Sequence, residues 1–319
     1  MNRSFPRRAT VPVVLASLSL ALAACGGQAE GGENGDALSG SVAVDGSSTV
    51  APLTEAAQEL FAAEQSGVDV TVGTSGTSGG FEAFCEGTTD ISDASRAIEE
   101  EEIAICEENG IEYTELQVAV DALTVVANPD IDVTCVTTDE LKTIWEPAAE
   151  DTITNWNQVN PDFPDVPLAL FGPGTDSGTF DYFTEEINGE EGASRSDYEQ
   201  SEDDNVIVDG VSGTEGAMGY FGFSYYEENA DSLKALEVDS GGGCVAPSPE
   251  TAQSGEYTPL ARPLYIYVSN ASYADKPEVA GFVDFYVDNL PEITEAAKFI
   301  TLNEEQSAKT EKALTSLQG

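Results

Sequence analysis

Histidine is absent from this chain. With it go the Ser-His-Asp and Cys-His catalytic arrangements and every histidine-ligated metal centre. Basic residues are scarce: 12 Lys and Arg stand against 59 Asp and Glu, a formal charge of −47. A field of that sign excludes a general nucleic-acid binder and argues against adsorption to an anionic surface. Carboxylates in such number read as a solvating surface suited to a salty environment rather than as acid–base pairs or Ca²⁺ and Mg²⁺ ligands, so no metal or other cofactor is expected. No internal repeat of solenoid length is present. Beyond the first 24 residues no segment is long and apolar enough to cross a membrane.

What is present begins with a targeting pattern. Arg3, Arg7 and Arg8 precede the apolar stretch Val11 to Ala24, which is short for a permanent span. Leu22-Ala23-Ala24-Cys25 resembles the lipobox of bacterial lipoproteins, in which the Cys becomes the acylated N-terminus; an ordinary signal peptide is the alternative. Residues 1–24 are thus expected to be a lipoprotein signal peptide, and residues 25–40, rich in Gly, Glu, Asn and Ala, a flexible tether. The folded body would then be held on the outer face of the cell membrane by lipidated Cys25. The other four of the five cysteines, Cys85, Cys106, Cys135 and Cys244, allow three connectivities and suit an oxidising compartment. The expected pairing is Cys85–Cys106, local within the first domain, and Cys135–Cys244 within the second, with four buried thiols as the alternative. Without a CxxC they do not form a zinc pattern.

Three turns share one composition. Gly172-Pro173-Gly174-Thr175-Asp176-Ser177-Gly178-Thr179-Phe180 follows the strand-like Val166 to Phe171 and precedes a helical run from Thr179 to Ile187, with Asp176 or Ser177 as N-cap. Asp45-Gly46-Ser47-Ser48-Thr49 lies between the strand-like Ser41 to Val44 and the helical Leu53 to Ala63. Residues 73–80, GTSGTSGG, lie between Val68 to Val72 and Phe81 to Phe84. One such loop is an ordinary helix cap. Three look like a single small-anion site, built from backbone N–H groups and hydroxyls gathered from separate turns.

From Ser41 to about Tyr113 the alternation of strand and helix predicts βαβ units around a mainly parallel sheet. Arg96 stands in the polar turn Asp90 to Arg96 and offers a planar fork to an oxyanion, with a surface ion pair as the plainer role. Beyond the signal segment only Arg195 and Arg262 accompany it as arginines. Asp121 to Pro129 reads as a first crossing between domains and Arg262 to Val268 as the return, after the glycine-punctuated strand Gly216 to Phe223. Pro277 to Gln318 is helical by pattern.

Five segments in this order, DGSSTVAP (45–52), GTSGTSGGF (73–81), DISDASR (90–96), GPGTDSGTFDYF (172–183) and GAMGYFGFSYYEEN (216–229), resemble the PstS family of phosphate-binding lipoproteins of bacterial phosphate ABC transporters. The resemblance covers roughly residues 41–300. It implies an α/β, two-lobed periplasmic-binding-protein fold (type II-like), each lobe a mixed sheet flanked by helices and the two joined by a two-strand hinge. Lobe I would comprise 41–120 plus about 250–319, and lobe II about 121–249. The implied phosphate donors are Ser48, Thr49, Thr77, Ser95, Ser177, Gly178 and Thr179.

Many family members carry an arginine just ahead of the DSGT loop, where this chain has Gly172-Pro173-Gly174, and an aspartate where it has Ser95-Arg96. Arg96 is therefore expected to supply the cation, Arg195 being a second candidate, and Asp93 or Asp176 to accept the phosphate proton. The partners implied are inorganic phosphate and the permease subunits of an ABC transporter, served by a monomer with no catalytic residues. A binder of sulfate, molybdate or a phosphonate on the same fold is the first rival, and a secreted phosphatase the second. The residues 73–80 do not form a nucleotide P-loop, because no Lys-Ser/Thr pair closes them.

Overall fold

The computed structural model describes residues 37–175 and 177–318. The signal segment, Cys25, most of the tether and Asp176 lie outside the described residues. The strands are β1 (Gly40–Gly46), β2 (Val68–Val72), β3 (Ile91–Ala94), β4 (Tyr113–Ala127), β5 (Cys135–Thr137), β6 (Ala169–Gly172), β7 (Glu199–Gln200), β8 (Ala217–Gly222), β9 (Lys234–Ala235), β10 (Glu237–Asp239), β11 (Cys244–Val245) and β12 (Ala261–Ser269). One path of hydrogen-bonded strands runs β2-β1-β3-β12-β4-β8-β6-β7, with β9 also on β4, and a small sheet runs β11-β10-β5.

The expected βαβ opening is present: β1 pairs in parallel with both β2 and β3. β4 then connects two cores. Its first part lies antiparallel to β12, down to Ala122 opposite Ala261, and its last residues lie antiparallel to β8. Ala122 packs in a core with Val42, Leu53, Phe61, Ile266 and Phe282, whereas Leu123 packs in another with Trp145, Trp156, Phe183 and Tyr220. From Val118 to Ala127 β4 is buried on both faces, which explains why the stretch reads as largely apolar sequence, interrupted at Asp121 and Thr124, rather than as alternation. The molecule is therefore a two-lobed α/β fold. β4 and β12 run side by side where the cores meet, and Asp121 stands opposite Arg262 in their register.

Element boundaries follow local chemistry. The helix Ala51–Glu64 has Pro52 as its second residue, and the helix expected from Thr179 to Ile187 is a short α-helix, Gly178–Phe183, continued by a π-helical turn, Thr184–Asn188. The C-terminal helical stretch is divided into Pro277–Asp288, Leu290–Ala296 and Glu304–Leu317. Proline near the start of the first two sets where each begins. Among the described residues no helix is long and apolar enough to cross a membrane.

Both expected disulfides are formed, Cys85–Cys106 and Cys135–Cys244. The first joins the helix Thr77–Cys85 to the helix Glu100–Asn109, and the second clasps β5 to β11 across β10. Because Cys135–Cys244 closes a loop of sequence separation 109, replacing both of its cysteines by serine should cost about 2–4 kcal/mol of stability. Urea titration of the variant against the oxidised parent checks this; coincident midpoints would show that the bridge constrains little.

Candidate anion-binding site

Three strand-to-helix turns meet between the lobes, each at the carboxyl end of a strand in a parallel pair, where α/β proteins place their ligands. The first two are sewn together. The Asp45 carboxylate accepts from Gly46 N at 2.8 Å and from Ser75 N at 3.0 Å, and Gly76 N donates to Gly46 O at 2.9 Å. Gly80 completes the seam: a Cβ there would lie 2.5 Å from Gly46 Cα, so no larger residue lets the two turns close up.

The helix starts differ in their capping. Helices beginning after Thr137, Asn155, Asp203, Ser248, Ser269 and Asn303 are capped by a side-chain oxygen. The helices Ala51–Glu64 and Thr77–Cys85, both starting at the site, have no side-chain cap, a trait they share with the helices Phe223–Glu228, Pro277–Asp288 and Leu290–Ala296 elsewhere. Their first-turn N–H groups, with the positive end of each helix dipole behind them, are suited to an anion. In the third turn Ser177 caps its own helix, accepting from Thr179 N at 3.2 Å.

A cleft of about 570 Å³ is lined by Ser48, Thr49, Thr77, Ser95, Arg96 and Gly178, among others. A second cleft of about 570 Å³ shares Ser48, Thr49 and Gly178 and adds Ser177 and Thr179. All seven expected donors thus line one space or the other, and the two spaces meet at a pinch between Thr49 and Gly178. A Cβ on Gly178 would sit 3.0 Å from Thr49 Oγ1 and 3.4 Å from Ser48 Oγ. Thr77 and Ser95 are bonded to each other, hydroxyl to hydroxyl at 3.0 Å and Ser95 N to Thr77 Oγ1 at 3.2 Å.

The charged residues depart from expectation. Arg96 lies on the cleft wall, but its fork is already occupied. Nη1 and Nη2 each reach a Glu102 oxygen at 2.8 Å, Nη2 also reaches Ser78 Oγ at 2.9 Å, and Glu99 lies 3.4 Å from Nε. The Glu102 hydrogen bond, more than any other factor, raises its pKa further. The guanidinium holds a carboxylate, as in the ion-pair alternative. Arg195 is 4% exposed and lies away from the cleft. It donates to Asp197, Ile144 O and Ile153 O, holding the Asp197 carboxyl down at about 2. Asp93 is wholly buried and turned away from the cleft, both of its oxygens taking the Thr54 hydroxyl, at 3.0 and 2.8 Å.

A cation in direct contact with the first turn is Arg262, overlooked in sequence because it stands inside a strand; Lys298 lines the second cleft. The Arg262 Nη2 donates to Thr49 Oγ1 at 2.9 Å, its Nε lies 3.4 Å from Asp121 Oδ2, and its guanidinium carbon lies 3.5 Å from the Tyr182 ring centre. One side chain thus touches the first turn, the crossing strand and the helix of the third turn. The signal available in sequence was arithmetic: with Arg96 and Arg195 able to pair within a few residues, Arg262 is the arginine left without a local acid. Carboxylates line the same cleft at Asp181, Glu185, Glu186 and Glu191. Burial pushes the Asp181 and Glu186 pKa values up, and Glu191 and Glu185 respectively add to the effect.

Comparison with known proteins gives the family. Residues 31–289 match the family model of the PBP superfamily domain. Protein SphX of Synechocystis sp. is 53% identical over 83% of this chain and 79% of its own length. The phosphate-binding protein PstS of Staphylococcus saprophyticus is 38% identical over 94% of this chain and 92% of its own. The crystal structure of a possible phosphate binding protein from Planctomyces limnophilus superposes with a TM-score of 0.84 at 44% identity, covering 88% of this chain and all of that one. A fold with two cores joined by crossing strands, glycine-and-hydroxyl turns meeting between them, and these relatives together place the chain in the PstS family of the PBP superfamily.

Proposed function

We propose that this protein captures inorganic phosphate between its lobes, outside the cytoplasm, and delivers it to the permease of an ABC transporter for import. Phosphate takes hydrogen bonds from the first turns of the helices starting at Ala51 and Thr77, and from the hydroxyls of Ser48, Thr49 and Thr77. On the facing lobe Ser177, Gly178 and Thr179 donate, and Arg262 supplies the charge. Ser95 holds Thr77 in place. The observation that carries the reading is the contact of Arg262 with Thr49 beside Gly178, which brings the cation and two of the three turns to one point.

Lobe I is assigned to 41–120 with about 250–319, and lobe II to about 121–249. Closure of the lobes buries the ion and creates the surface that the permease meets. The protein acts as a monomer anchored through lipidated Cys25, binds without turnover, and is not a phosphatase. Isothermal titration with phosphate tests the reading directly. Saturable 1:1 binding is expected, and absence of heat at millimolar phosphate would end it.

Gly178 gives a sharper check. Gly178→Ala places a methyl against Thr49 Oγ1 and Ser48 Oγ and holds the third turn away from the first. Loss of one or more charge-assisted hydrogen bonds should weaken phosphate about 10- to 100-fold. The thermal midpoint should stay within a few degrees of the parent (about 1 kcal/mol). Equal affinity would show that the close approach plays no part in binding.

A further inference from the structure

Tyr182 is buried and stands one turn after Gly178 on the helix Gly178–Phe183. Residues four apart share a helix face, so the face whose glycine approaches Thr49 also carries this ring. Its hydroxyl donates to Pro259 O at 2.5 Å, tying the ring to the segment that leads into β12. The Arg262 guanidinium carbon lies 3.5 Å from the ring centre, a distance that sterics allow only when the two planes lie flat on each other. Stacking fixes the plane of the fork and with it the directions of its N–H donors. In that plane they reach Thr49 Oγ1 and Asp121 Oδ2, and among the described residues Asp121 is the acid that pairs with Arg262. Other carboxylates compete for the same charge. Asp181 and Glu186 line the cleft with Arg262, whose charge pulls the pKa of each down against the effect of burial. A long, freely turning arginine would swing to such acids. Arg96 shows the outcome: 5.7 Å from the Phe81 ring centre, it has both Nη atoms on Glu102.

We propose that Tyr182 is the positioning residue for Arg262: its ring holds the guanidinium toward the first turn, where the anion binds, and keeps it from pairing with Asp181 and Glu186. The proposal rests on the phosphate reading above. The need for such a device follows from composition. In a chain with 12 basic and 59 acidic residues, a cation reserved for an anion has to be withheld from the acids around it. An aromatic face does this without adding a charge of its own, since it attracts the guanidinium through the ring quadrupole and leaves the in-plane donors unspent.

The test is phosphate titration calorimetry on the parent, Tyr182→Phe, Tyr182→Leu, the pair Asp181→Asn/Glu186→Gln, and that pair combined with Tyr182→Leu. Tyr182→Leu should weaken phosphate about 5- to 30-fold. Tyr182→Phe keeps the ring and loses the bond to Pro259 O, and should stay within about threefold of the parent. Removing the two acids should change the parent by no more than about threefold but recover most of the loss in Tyr182→Leu. A ring with a merely structural role would not produce that non-additivity. Parent-like affinity in Tyr182→Leu, a Phe variant as weak as the Leu one, or equal gains from acid removal in both backgrounds overturns the proposal while leaving the phosphate reading standing. A parent that binds no phosphate overturns both. Should Tyr182→Leu fail to fold, a crystal structure of the parent with phosphate decides. A guanidinium stacked on Tyr182 with an N–H nitrogen about 2.7–2.9 Å from a phosphate oxygen supports the assignment, and one turned to Asp181 or Glu186 refutes it.

Discussion

Replacing Arg262 by methionine is expected to weaken phosphate binding by about a hundred- to a thousandfold, because a dehydrated anion loses a charged, two-pronged donor worth about 1.5–3 kcal/mol per hydrogen bond. Lysine should recover part of the loss, since it keeps the charge without the planar fork. The substitution also removes the stacking on Tyr182 and leaves Asp121 buried without its counter-charge. Some destabilisation is therefore expected alongside the binding defect. The double variant Arg262→Met/Asp121→Asn separates the two, restoring the denaturation midpoint but not the phosphate affinity. Titration calorimetry and urea denaturation on the same preparations check this, and parent-like affinity in Arg262→Met would show that the turns hold the anion by neutral donors alone. Arg96→Met should by contrast cost far less, because its fork is bound to Glu102 at 2.8 Å.

The importance of Arg262 follows from the electrostatics of the whole chain. With a formal charge of −47 and carboxylates lining the cleft itself, the distant field opposes any anion. Salt screens exposed charges beyond about 8–10 Å, so the decision falls to groups in contact: uncapped helix ends, hydroxyls and one guanidinium.

Much of this was legible in the sequence because it is written in local chemistry. A strand, a glycine–hydroxyl turn and a helix are consecutive in the chain, so all three units could be read before any contact was known. Glycine at 178 is a local feature too. The ion pairs were harder to read. Arg262 and Asp121 are brought together by the register of two strands distant in sequence, and no periodicity encodes it. For the Arg96 ion pair a local signal existed: Glu99 and Glu102 form a capping box, with the Glu102 carboxylate accepting from Glu99 N at 2.9 Å. That places an acid at the start of a helix beside the arginine, and the arginine pairs with it. Asp93 was misplaced because β3 is buried on both faces. Successive side chains on a strand alternate, and the polar run Ser92-Asp93 does not reveal which face looks toward the cleft.

Asp93 carries the second large prediction. Its carboxyl is sealed beneath the first turn, bonded to Thr54, with Tyr286 3.4 Å from the same hydroxyl. Burial pushes its pKa up to about 8, the charges of Asp45 and Glu55 adding to the effect against the Thr54 hydrogen bond. In the unfolded chain the same carboxyl releases its proton near 3.9. The native state therefore holds a proton that the unfolded state has lost across that interval. The stability due to this group is complete below about 3.9 and falls as pH rises, until the native carboxyl ionises near 8. At about 1.4 kcal/mol per pH unit the loss amounts to roughly 6 kcal/mol. Asp93→Asn, close in shape and still able to bond Thr54, removes that dependence. The variant should gain on the parent steadily from pH 5 to pH 8 in urea titrations, the difference flattening above that. Curves that stay parallel would show that Asp93 ionises normally in the native protein.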